Sequence, residues 1–75
     1  MDLRITSNAK NNQISFLIAL NNFLTRRNYT KASLAIKQLN QFLKQRNPDF
    51  NIRVKEGTGN SIELYADKSL IGYYA

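Results

Sequence analysis

At Pro48 the spacing of apolar residues changes from a helical period to a period of two, and this switch limits the chain to helices followed by a sheet. Asn11 and Asn12 supply short amides suited to capping, and a helix is expected from about Gln13 to Arg27. At about 100° per residue, Phe16, Leu17, Leu20, Phe23 and Leu24 fall within one arc of about 120°, the width of a core-facing stripe. Ile14 and Ile18 widen that stripe on one flank. Asn28, Tyr29 and Thr30 interrupt the pattern, and Thr30 is placed to cap a second helix from about Lys31 to Arg46. On that helix Ala32, Ala35, Ile36, Leu39, Phe42 and Leu43 share a face, while Ser33, Lys37, Asn40, Gln41 and Lys44 lie opposite. Lys44 and Arg46 suit the negative end of the helix dipole, and Pro48 stops the helix. So short a connection makes the helices antiparallel neighbours.

Beyond Pro48, Phe50, Ile52 and Val54 alternate with polar residues, Gly57-Thr58-Gly59-Asn60 forms a turn, and Ile62, Leu64 and Ala66 alternate with Ser61, Glu63 and Tyr65. Asp67-Lys68-Ser69 then turns the chain into a last strand, Leu70 to Tyr74. Glu63 falls on the same face as Arg53 and Lys55, where opposite charges help set the register. Leu3 and Ile5, flanking Arg4, add a short N-terminal strand. The expected architecture is a single α+β domain over residues 1–75. It has two layers, an antiparallel helical hairpin packed on a three-stranded antiparallel meander. A domain of this size rarely gains more than about 3 to 5 kcal/mol from its core. With no cysteine and no histidine it has no disulfide or Cys/His metal site to add to that, so its stability can depend partly on a partner.

The charge is as asymmetric as the periodicity. Up to Asn47 eight bases (Arg4, Lys10, Arg26, Arg27, Lys31, Lys37, Lys44 and Arg46) face Asp2 alone, a balance of +7. From Pro48 onward Arg53, Lys55 and Lys68 face Asp49, Glu56, Glu63 and Asp67, a balance of −1, so the whole net charge of +6 resides in the helical part. Lysine and arginine neutralise phosphates and release counterions, while asparagine and glutamine hydrogen-bond base edges, sugars and phosphates. Lys37, Asn40, Gln41 and Lys44 recur at i, i+3, i+4 and i+7 on one helix face, and Arg26, Arg27 and Lys31 fall at the inter-helix turn. These seven are the candidate nucleic-acid-binding residues. The plainer explanation is that any exposed helix carries polar helix formers. Against it stands the complete lack of acids from Leu3 to Pro48, since an ordinary solvated face mixes signs. The functional expectation is therefore a non-catalytic protein that binds DNA or RNA on a continuous basic, amide-rich helical face.

A helix-turn-helix fits less well, because the turn lacks glycine and both apolar stripes suit lengthwise packing. Tyr65, Tyr73 and Tyr74 lie in the expected sheet and are candidates for base stacking, although tyrosine is also simply a good strand former; Tyr73 and Tyr74 point to opposite faces, so one of them belongs to the core. Catalysis is disfavoured. Zinc, thiol and histidine-dependent nucleophilic chemistry need residue types that the chain lacks, the five carboxylates form no metal-ligand motif, and no cofactor is implied. Gly57-Thr58-Gly59 has neither the lysine nor the helix of a phosphate-binding loop. In layout alone, one strand, two helices and then further strands, the chain is similar to small RelE-type toxins that cut messenger RNA. That resemblance implies Arg53, Lys55, Tyr65 and Tyr73 as the residues to test. The other alternative is a small phage-like inhibitor or adaptor that holds an acidic protein partner, with Leu34, Ile14 and Ile18 as its apolar contacts and a homodimer left open. No stretch approaches the roughly 20 apolar residues of a spanning helix. No charged and apolar leader pattern begins the chain, and cytoplasm is the default expectation.

Overall fold

A computed structural model of the chain describes residues 2–27, 31–46 and 51–75. In chain order these form β1 (Leu3–Ile5), α1 (Asn11–Thr25), α2 (Ala32–Arg46), β2 (Ile52–Glu56), β3 (Ile62–Ala66) and β4 (Ser69–Tyr74). The strands make one antiparallel sheet in the order β1-β4-β3-β2, so the short N-terminal strand extends the expected meander to four strands by pairing with β4. Both helices pack on one face of this sheet. Leu17, Leu20 and Leu24 of α1 and Ala32, Ala35, Leu39, Phe42 and Leu43 of α2 close over Ile52, Ile62, Leu64, Ala66, Ile71 and Tyr74. The expected contributions of Thr30, Pro48 and Phe50 lie outside the described residues.

α2 starts at Ala32, within one residue of the expected start, and amide side chains engage both helix starts, one from within its own helix and one from across the fold. α1 begins two residues early, at Asn11, because Gln13 reaches back from inside the helix and its Oε1 accepts the Lys10 N–H at 2.8 Å. The far end stops at Thr25, with Arg26 as the cap residue rather than part of the helix. At the head of α2 the N–H of Ala32 donates to Oδ1 of Asn60, 2.9 Å away in the β2–β3 turn. That turn is closed by Gly57 N–H donating to the Ser61 carbonyl, with Gly59 at φ 65°. Caps of this kind are worth about 0.5 to 2 kcal/mol, and this one also ties sheet to helix.

Strict alternation fails in β4. Leu64 pairs with Gly72, but Tyr65 pairs with Leu70, so Ile71 is an extra residue, a bulge, and Ile71, Gly72 and Tyr74 are all buried. Just beyond β1, Thr6 donates its hydroxyl to the Leu70 carbonyl and its N–H to that of Ile71 on the other side of β4. Gly72 sits at a close approach, since a Cβ there would lie 3.2 Å from the Arg4 carbonyl and 3.4 Å from Leu17, so that neighbours would have to give way to a side chain. Tyr74 is the core tyrosine, its hydroxyl donating to Asn21 Oδ1 of α1 at 3.0 Å, while Tyr73 faces out.

Candidate nucleic-acid interface

All eight bases of the helical half are exposed. Among the described residues the carboxylates Asp2, Glu56, Glu63 and Asp67 all belong to the strands and their adjoining turns, and neither helix carries one. The cations of the hairpin therefore have no carboxylate on their own elements to neutralise them.

The helical cations form two groups. Lys37, Asn40, Gln41 and Lys44 line one shallow groove along α2, floored by the half-buried Ile36, as the i, i+3, i+4, i+7 spacing predicts. Arg26 and Arg27 line a different groove, of about 380 Å³, together with Phe23, Phe42, Gln45 and Arg46. Its floor is an aromatic pair, with the rings of Phe23 and Phe42 4.8 Å apart. The Arg27 guanidinium lies 4.0 Å from the centroid of Phe23 and donates through Nη1 to the Phe23 carbonyl at 3.4 Å, while that of Arg46 lies 5.6 Å from the centroid of Phe42. Lys31 is exposed at the start of α2, where its carbonyl accepts from Leu34 and Ala35, and it lines neither groove.

Two corrections to the expected single face follow. Lys44 and Arg46, two positions apart, project about 160° from each other around α2, so its two basic groups occupy opposite flanks. They are joined across the outer surface by Gln41 of one groove and Gln45 of the other, both exposed and one turn apart. The second is that Arg46, read from the sequence for its fit to the helix dipole, lines the second groove. The missed signal was a repeated spacing: Phe23 with Arg27 and Phe42 with Arg46 are both i, i+4 pairs.

The uncovered face of the sheet has a different character. Register places Lys55 opposite Glu63, Glu63 opposite Tyr73 and Tyr73 opposite Arg4, with Arg53 opposite Tyr65. Here cations stand beside acids and carbonyls. Arg53 donates to the Asp67 carbonyl at 2.6 Å, and the Tyr65 hydroxyl donates to Glu63 at 3.0 Å, which raises the phenol's pKa above its ordinary value. Among the described residues no three or more His, Cys, Asp or Glu side chains gather as metal ligands, and no helix is long and apolar enough to cross a membrane. No family model matches the chain, and neither a curated protein nor a solved structure is significantly similar to it.

Proposed function

We propose that the protein binds DNA or RNA through its helical hairpin and catalyses no reaction. The observation that carries this reading is the band of basic and amide side chains around the outside of α2 and the end of α1, on helices free of carboxylates. Arg26, Arg27, Lys31, Lys37 and Lys44 contact phosphates, Asn40 and Gln41 add hydrogen bonds, and Arg46 joins the set. A protein partner is the second reading, favoured by the exposure of Ile18 (51 %) and Leu34 (49 %) on the same helices. The RelE-type reading draws on the element order, strand, two helices and three strands.

Salt separates the first reading from the second. Titration of a nucleic acid at increasing salt is expected to give a linear fall of log affinity with log salt, with a slope of about −4 to −5 for six phosphate contacts. A complex held through Ile18 and Leu34 depends weakly on salt. The absence of any salt-sensitive retention of DNA or RNA at low ionic strength removes the nucleic-acid reading.

A further inference from the structure

We infer that the groove formed by the last turns of α1 and α2 receives an unpaired nucleobase and its flanking phosphates, so that the favoured ligand is single-stranded; this rests on the nucleic-acid reading above. The guanidinium of Arg27 is placed by two contacts to one residue, its carbon 4.0 Å from the centroid of the Phe23 ring and its Nη1 donating to the Phe23 carbonyl. The residue is nonetheless exposed. A guanidinium with one face on a phenyl ring offers its other face as a planar cation, and such planes stack nucleobases. Arg46 stands more loosely over Phe42, 5.6 Å from the centroid of a ring that touches that of Phe23, so two guanidinium groups share one aromatic floor.

The rest of the groove matches a nucleotide in charge and in hydrogen bonding. Arg26 adds a third cation at its edge, suited to a phosphate, and Asn22 and Gln45 bring amides that can both donate to and accept from a base edge. No described carboxylate lines it, so an anion entering meets no charge of its own sign. A duplex has its base faces stacked inside and presents phosphates and edges, which gain nothing from flat cations on an aromatic floor. An exposed base of a single strand gains from both.

The test compares a labelled single-stranded oligonucleotide with a duplex of the same sequence by fluorescence anisotropy at about 0.15 M salt, using the whole chain and its Arg27→Lys variant, with polyglutamate as competitor. The single strand is expected to bind about fivefold or more tightly than the duplex, and Arg27→Lys, which keeps the charge but removes the plane, to weaken the single strand about fivefold and more than it weakens the duplex. Arg46→Lys is expected to act in the same direction, which guards against a local effect at one position. Equal binding of single strand and duplex, or a single-strand preference insensitive to both variants, overturns the inference and leaves the nucleic-acid reading standing. Failure of either nucleic acid to bind, or competition by polyglutamate at equal charge, overturns both.

Discussion

Leu64→Ala is expected to leave most of the chain unfolded at room temperature. Leu64 is fully buried in β3, an inner strand of the sheet, with the helices over it. Truncating such a leucine costs about 2 to 5 kcal/mol through lost transfer energy and the cavity left behind. A core this small supplies about 3 to 5 kcal/mol in all, so the loss is comparable with the total. Leu34→Ala is the matched control: at 49 % exposure its side chain holds little together, and the change stays within about 0.5 kcal/mol. Circular dichroism melts of the two variants check both outcomes. A cooperative melt of Leu64→Ala near that of the unaltered protein contradicts the core described here.

Charge reversal on the hairpin is expected to have the second large effect. Lys37→Glu with Lys44→Glu changes one flank of α2, and Arg26→Glu with Arg46→Glu changes the other. Each pair is expected to flatten the dependence of log affinity on log salt by about one unit or more per lost phosphate contact. All four together are expected to lower nucleic-acid affinity by about a hundredfold or more at physiological salt. Lys55→Glu with Lys68→Glu makes the same change in net charge as either pair but places it on the sheet and its turn, and there the slope is expected to stay put. An equal loss from the sheet pair means that net charge, not the hairpin, governs binding.

What the sequence made legible was whatever depends on local period. The buried faces of α2 and β3 follow directly from the spacing of Ala32, Ala35, Leu39 and Leu43 and from the alternation of Ile62, Leu64 and Ala66. That Tyr73 and Tyr74 point to opposite faces follows from the same rule, but which of them is buried does not. What escaped depends on contacts between residues far apart in the chain. Asn60 caps a helix 28 positions away, and no local pattern announces it. The bulge at Ile71 arises where β4 must pair with β3 on one side while Thr6, beyond the end of β1, satisfies its carbonyls on the other, so simple alternation could not place it. The four-residue set on α2 was recoverable because one helix face defines it. The arginine groove was not, because it draws on both helices at once, and only its i, i+4 phenylalanine–arginine pairs were visible in advance.

The central claim is about location: nucleic acid meets the helices, not the open face of the sheet. Amide chemical shifts of the isotope-labelled chain, followed while an oligonucleotide is added, test that directly. The account predicts that the perturbed amides cluster at the end of α1 and along α2, around Asn22 to Arg27 and Lys37 to Arg46, and leave β2 to β4 unmoved. Perturbation centred instead on Arg53, Tyr65 and Tyr73, the residues that a messenger-RNA-cleaving arrangement would use, contradicts it.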